Sequence, residues 1–317
     1  MSRSRPWDTD RELDDDLARA VVRRLFPRVD GAALAWVGAG WDFDVYRSGE
    51  WAVRFPRRAA YGRRAWEGPL LRLVAPGLEA MGIRVPVPLE ERIAEDLFPY
   101  HVTLHRWVPG RAATVLDHET ALAMLPTLGR ALRRIHDTPA DACRDLGLPT
   151  EEWLMRDRLR ETHADLPELR SLVSSREDPV LHGHMAWAAA LSEDDVPPEP
   201  TGPHPLLHND LATEHVLVDP ATGRITGLID WTDAGYGDPA NDFVGVFAAW
   251  GRAGLDAALG GYGGGGPGLV ERVIFMARVA TLHWLHDALV RGEDGARQRR
   301  WIDHAFAGTH DTGPGPS

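Results

Sequence analysis

Apolar residues recur with two spacings along this chain, and the change of spacing divides it. Through residues 11–27, Leu13, Leu17, Val21 and Leu25 keep helical intervals until Pro27 ends the run. Residues 34–58, LAWVGAGWDFDVYRSGEWAVRFPRR, break instead into short β-rich pieces around Gly38, Gly40 and Gly49. That pattern predicts two or three antiparallel strands joined by tight turns. A helical pattern returns over 61–81, with Trp66, Leu70, Leu73 and Val74 on one buried face. HVTLHRWVPG, residues 101–110, reads as a further strand entering a turn at Pro109–Gly110. The opening section is therefore expected to be a small α+β unit dominated by a meander.

From residue 118 helices take over. Leu122, Leu125, Leu128, Leu132 and Ile135 form one stripe, and residues 151–175 read as a second helical stretch. Residues 193–205, EDDVPPEPTGPHP, are acidic and proline-rich and read as an exposed loop. Apolar runs at 216–218 and 225–229 flank the turn DPATGR, which predicts a hairpin. Residues 240–262, 269–292 and 299–307 read as helices, with the glycine-rich 260–268 as a flexible connection. No internal repeat of useful length is visible.

Composition narrows the function. At 317 residues, 44% hydrophobic and 26% charged, the chain has the make-up of a globular protein large enough for two lobes. A net charge of −12 argues against nucleic acid or an anionic membrane as partner and suits a small-molecule enzyme. Cys143 is the single cysteine, so no internal disulfide can form, and a reducing, cytoplasmic setting is expected. The first residues turn acidic where a signal peptide would be apolar, and no run of ~18 apolar residues is visible. Lysine is absent altogether, which excludes lysine Schiff-base or general-base chemistry.

The densest chemistry lies in LLHNDLATEHVLVD, residues 206–219, followed by LIDW at 228–231. The predicted hairpin places Asp210 on the loop entering it, His215 at the start of its first strand and Asp230 at the end of its second. Phosphoryl transfer needs a carboxylate to accept the proton of an attacking hydroxyl, and oxygen or nitrogen ligands to hold Mg²⁺ on nucleotide phosphates. Asp210 suits the first role, His215 and Asp230 the second. Each residue alone also fits a turn, core or cap position; the joint order points to the chemistry. VLHGHM, 180–185, mimics the motif with His182 and His184. It lacks the acid and the following Ile-Asp, and a zinc site there would need further ligands.

These residues resemble the aminoglycoside phosphotransferase family, relatives of protein kinases, over most of the chain. The family pattern is commonly H-G-D, four residues, N, then I-D-[WF]. HNDLATEH with LIDW departs at Asn209 for glycine and at His215 for asparagine. The histidine is similar to what aminoglycoside 2″-phosphotransferases and macrolide phosphotransferases show. GDPANDF, 237–243, also looks like the family pattern, with Asp238 and Asp242 bracing the loop rather than reacting. The resemblance implies an α+β, bilobal protein-kinase-like fold. An N-terminal antiparallel-sheet lobe (1–107) would bind nucleotide, and a larger, mainly helical C-terminal lobe (108–317) would carry the catalytic and acceptor sites. It also implies Mg²⁺ and a phosphate donor, ATP or GTP.

A nucleotide kinase further needs a glycine turn over the phosphates and a cation on them. Gly38 and Gly40 lie in a suitable turn, although hairpins use glycine for backbone reasons alone. Arg54, in WAVRFPRR, stands where the family usually has lysine, and RFPR resembles some macrolide-type members. A guanidinium can grip two phosphate oxygens, so the exchange is workable. Glu67 resembles the kinase-type carboxylate that holds such a cation. The strand 101–110 looks like the hinge at which backbone groups of His105 and Trp107 would meet a purine.

The family acts on hydroxyls of antibiotics and of small metabolites such as choline and homoserine. Phe247, Trp250 and Leu255 on the helix after GDPANDF offer an apolar wall that suits a macrolide carrying one amine, unless they pack in the core. Asp210, Asp233, Asp238, Asp242 and Asp287 would suit a cationic aminoglycoside sugar. The expectation is an antibiotic kinase conferring resistance, with a macrolide 2′-hydroxyl favoured slightly and an aminoglycoside as the alternative. A metabolite kinase and a non-catalytic nucleotide- or drug-binding protein are the other readings.

Overall fold

The computed structural model describes residues 9–59, 65–148, 154–173 and 178–307. Contacts divide the chain into two compact units, the first comprising Met1–Pro109 with Thr226–Thr232 and the second Gly110–Ile225 with Asp233–Ser317.

The first unit opens with helix α1 (Asp15–Leu25), capped by the Asp14 carboxylate, which accepts the N–H of Leu17 at 2.8 Å. A five-stranded antiparallel sheet follows: β1 (Ala35–Ala39), β2 (Phe43–Ser48), β3 (Trp51–Pro56), β4 (Pro88–Ala94) and β5 (Phe98–Arg106), in the order β1-β2-β3-β5-β4. Helix α2 (Glu67–Glu79) runs between β3 and β4 in sequence. Ala18, Val21, Val22, Leu25 and Phe26 share one core with Tyr46, Val53, Phe55, Phe98, Val102 and Leu104. Burying each large side chain of that set contributes about 1.5–3 kcal/mol. The meander is as expected, but β4 was not foreseen. On α2, Leu70, Leu71, Val74 and Leu78 are buried, whereas Leu73 is exposed and Trp66 only partly covered.

The second unit holds the two-residue strand β6 (Arg111–Ala112) and helices α3 (His118–His136), α4 (Ala140–Cys143), α5 (Met155–Leu172) and α6 (Pro179–Ala190). Strands β7 (Leu206–Leu207), β8 (Val216–Val218) and β10 (Gly235–Tyr236) and helices α7 (Asn241–Tyr262), α8 (Leu269–Val290) and α9 (Ala296–Phe306) follow, while β9 (Ile225–Leu228) belongs, from Thr226 on, to the first unit. β8 and β9 form the predicted hairpin, closed by Asp219 N–H on Arg224 O at 2.9 Å. Through Thr226 and Leu228, β9 also exchanges backbone hydrogen bonds with Arg84.

Helices α3 and α7 approach backbone to backbone, which requires glycine. A Cβ on Gly129 would lie 1.9 Å from Ala258 O, and one on Gly261 1.9 Å from Pro126 O. Helix α8, expected over 269–292, is long and apolar enough by composition to cross a membrane, although no unbroken run of ~18 apolar residues was visible in the sequence. Yet 61% of its apolar window is buried inside the protein, as in a core helix.

Candidate active site

Strand β7 pairs with β10 and delivers His208 to the start of a turn whose backbone is held from below. Asp242, fully buried in the first turn of α7, accepts the N–H of Asn209 at 2.7 Å and that of His208 at 2.9 Å. Its third partner is His136 on α3, whose Nε2 donates at 3.0 Å while Nδ1 meets the Tyr262 hydroxyl at 2.9 Å. Burial pushes the Asp242 carboxyl up. The hydrogen bond and charge of His136, with those of His208, outweigh this and hold it below the ordinary carboxylate range. So anchored, Asn209 adopts φ 68°, left-handed backbone that glycine and asparagine tolerate best. That conformation explains why asparagine can stand where the family pattern has glycine.

Beyond the turn, the Asp210 side chain is 40% exposed. His215 closes back on it. Its Nδ1 lies 2.7 Å from Asp210 O, and because a carbonyl only accepts, Nδ1 carries a proton, which in the neutral ring leaves the lone pair on Nε2. Asp230 also sits in left-handed backbone, φ 62°, and accepts the Thr232 hydroxyl at 2.9 Å. Strained backbone at non-glycine positions gathers at functional sites. One ligand atom each from Asp210, His215 and Asp230 lie within 4.8 Å of one another. Two carboxylates and an imidazole with this spread could hold a divalent cation such as Mg²⁺ or Mn²⁺.

In the first unit, Arg54 Nη1 on β3 meets Glu67 Oε1 at 2.6 Å, with side chains only 12% and 9% exposed. Arg54 also lies 4.0 Å over the Phe43 ring. Burial disfavours its charge, but Glu67, then Asp230 and Asp42, more than offset this and raise its pKa. The nearby His105 is the reverse case. Burial first, then the charge of Arg54, pushes its imidazole down to about 3, so it stays neutral. It donates from Nδ1 to Pro86 O at 2.7 Å and accepts the Thr103 hydroxyl at Nε2, 2.8 Å away. The Trp107 N–H is given to Glu50 O at 2.7 Å, so that donor is already engaged. Gly38 and Gly40 have ordinary negative φ, and a Cβ on either would meet nothing closer than 4.0 Å, so the fold itself does not demand glycine there.

Other predicted residues fall elsewhere in the second unit. Phe247 is 4% and Trp250 9% exposed, so both are packed in the core and do not form an open apolar wall. Leu255 is buried as well. Asp287 lies 3.6 Å from His283 Nε2, and its charge, with those of Glu161, Asp165 and Asp233, acts on the partly buried Arg158. Asp238 pairs with Arg272 at 2.5 Å, consistent with a bracing role. His182 binds Val173 O and His184 stacks on Phe306, and neither joins a metal-like cluster among the described residues. The pattern reading missed His136, Tyr262 and Arg297, whose roles depend on partners 83 to 126 residues away.

The profile of the phosphotransferase enzyme family (APH) matches residues 34–272. The chain belongs to this family. It is 29% identical over 286 residues to viomycin phosphotransferase of Streptomyces vinaceus, covering 87% of this chain and 93% of that one. The fold matches macrolide 2′-phosphotransferase MphH of Brachybacterium faecium at a TM-score of 0.60 and 27% identity, covering 93% and 98% of the two chains. It matches the GDP complex of aminoglycoside 2′-phosphotransferase-IIIa at 0.67 and 16% identity, covering 93% and 96%. The protein is thus a phosphotransferase with the protein-kinase-like fold of the antibiotic kinases.

Proposed function

We propose that this phosphotransferase moves the γ-phosphate of ATP or GTP to a hydroxyl of an amine-bearing antibiotic, conferring resistance. The observation that carries the reading is the convergence of Asp210, His215 and Asp230 on one strained loop and hairpin of a phosphotransferase chain. The hydroxyl oxygen attacks the γ-phosphorus, its proton passes to the Asp210 carboxylate, and the bond to the β-bridging oxygen breaks to release nucleoside diphosphate. His215 and Asp230 would hold Mg²⁺, which when bound neutralises charge on the phosphates. Arg54, kept charged by Glu67, orients the phosphates, and the bare backbone of Gly38 and Gly40 lies over them. His105 and Trp107 contribute to the purine site through main-chain groups other than the engaged Trp107 N–H.

The first acceptor reading is the 2′-hydroxyl of a macrolide amino sugar, supported by likeness to a macrolide enzyme along nearly the whole chain. Burial of Phe247 and Trp250 takes away the aromatic-wall argument for it. A second reading, a polycationic aminoglycoside, is favoured by the carboxylates of Asp165, Asp233 and Asp287, whose charges act together on Arg158. Purified protein with Mg²⁺, labelled ATP or GTP, and a macrolide, an aminoglycoside or viomycin should phosphorylate one of them. Asp210→Asn should abolish transfer while folding and nucleotide binding persist. Nucleotide binding without transfer to any acceptor would make the chain a binding protein. Preference for a compact metabolite alcohol would make it a metabolic kinase, and full activity of Asp210→Asn would remove Asp210 from the chemistry.

A further inference from the structure

Glu214 is the residue just before His215, and both of its oxygens are occupied. Oε2 accepts the Thr213 hydroxyl at 3.0 Å, and Oε1 meets Arg297 Nη1, 83 residues on, at 3.0 Å. The rest of the turn closes on itself. Ala212 N–H donates to Asp210 O at 3.0 Å, His215 N–H to Ala212 O at 3.0 Å, and His215 Nδ1 to Asp210 O. Arg297 is an odd residue for its place. It lies in the first turn of α9, which holds no acid, where the helix dipole disfavours a cation. Its guanidinium is nonetheless braced, 4.8 Å over the Trp301 ring, and Trp301 in turn meets Trp284 edge-on at 5.5 Å. With side chains 41% and 37% exposed, the Arg297–Glu214 pair adds little to stability, so its placement calls for another reason.

We propose that Arg297 is a positioning residue for the phosphoryl-transfer turn: by holding Glu214 it fixes the 210–215 geometry and keeps that carboxylate off the cation site beside it. The idea rests on the proposed metal role of His215 and Asp230. Its consequence has a distinctive sign. Removing Arg297 deletes a positive charge near the site and releases a carboxylate next to a ligand, so the cation should bind more tightly while transfer slows. A residue that merely supported the fold would loosen the site instead.

The test is titration calorimetry of Mn²⁺ into wild-type and Arg297→Ala protein, each saturated with a non-hydrolysable nucleotide, beside kcat and thermal melting. Arg297→Ala should bind Mn²⁺ several-fold more tightly, lose about tenfold in kcat and melt within a few degrees of wild type. Arg297→Lys should recover most of the rate, and Glu214→Gln in the Arg297→Ala background should reverse the tightening. Unchanged or weaker Mn²⁺ binding by Arg297→Ala overturns the positioning role, as does a rate loss explained by unfolding. Tighter binding in a protein that transfers no phosphate would instead sink the proposed function and leave this inference standing. A wild type that binds no Mn²⁺ defeats both.

Discussion

Gly245, on α7, presses against the turn that carries Asp210. A Cβ there would lie 2.3 Å from Leu211 O, 3.2 Å from Leu211 C and 3.6 Å from Ala212 Cα. Ordinary contact begins at 3.4 Å, so the Gly245→Ala methyl must push the Leu211 carbonyl back by 3.4 − 2.3 = 1.1 Å. Leu211 adjoins Asp210, whose carboxylate must meet a hydroxyl within hydrogen-bonding reach. A misplacement of about 1 Å in such a site can cost on the order of 10²-fold in rate. Stability should change less. Overpacking costs about 1–3 kcal/mol, and replacing a helical glycine by alanine returns roughly 1 kcal/mol. We therefore expect kcat to fall by about one to two orders of magnitude with a melting temperature only a few degrees lower, in a coupled assay for nucleoside diphosphate run beside thermal denaturation. Gly260, in the same helix, has nothing within 4 Å of its added Cβ and supplies the control: Gly260→Ala should keep the wild-type rate. If Gly245→Ala works within twofold of wild type at unchanged stability, the tight contact does not govern Asp210 and the reasoning fails.

Two further outcomes follow from the buried charges. Asp242→Asn puts an amide NH₂ against a backbone N–H that the carboxylate now accepts, which should cost about 2–5 kcal/mol at neutral pH. Because the Asp242 carboxyl is held below its unfolded value, its stabilisation is complete above about pH 4 and disappears as pH falls through the folded value. Urea-denaturation midpoints of wild type and Asp242→Asn should accordingly converge in acid; parallel curves would disprove the assignment. Arg54→Ala should raise the nucleotide KM more than the acceptor KM and, by stranding the buried Glu67, destabilise the protein by about 3–5 kcal/mol. Arg54→Ala with Glu67→Ala should then regain stability but not nucleotide affinity, and recovery of both would displace Arg54 from the phosphates.

Much of the architecture was legible in local patterns. Helix α1, the β1–β3 meander, the β8–β9 hairpin and the α3 stripe all follow from periodicity and turn residues; all but β1, whose Trp36 and Val37 are exposed, bury an apolar side in a way that spacing alone records. The order Asp210, His215, Asp230 was legible for the same reason: a short hairpin brings its two ends together whatever surrounds it. Elements whose reasons lie far away in sequence were not. β4 carries Glu90, Glu91 and Arg92 and is a strand only because β5 offers it an edge, while α6 buries Leu181, Met185 and Ala188 at helical spacing, a stripe blurred in the sequence by the exposed Val180, Ala186 and Ala189. Phe247 and Trp250 could be read as a binding wall or as core, since apolar spacing is identical in both cases, and packing made them core. The break of α7 at Gly251 (φ 63°, ψ −159°) is likewise tertiary, with His304 on α9 donating to Ala248 O at 2.8 Å. Composition and order could nominate the reacting groups, and the family resemblance the bracing Asp242, but His136, Tyr262 and Arg297 acquire their tasks only when helices distant in the chain are packed around one turn. Hydrogen bonds and ion pairs act over a few ångströms of space, and separation along the chain leaves no trace of them in a local pattern.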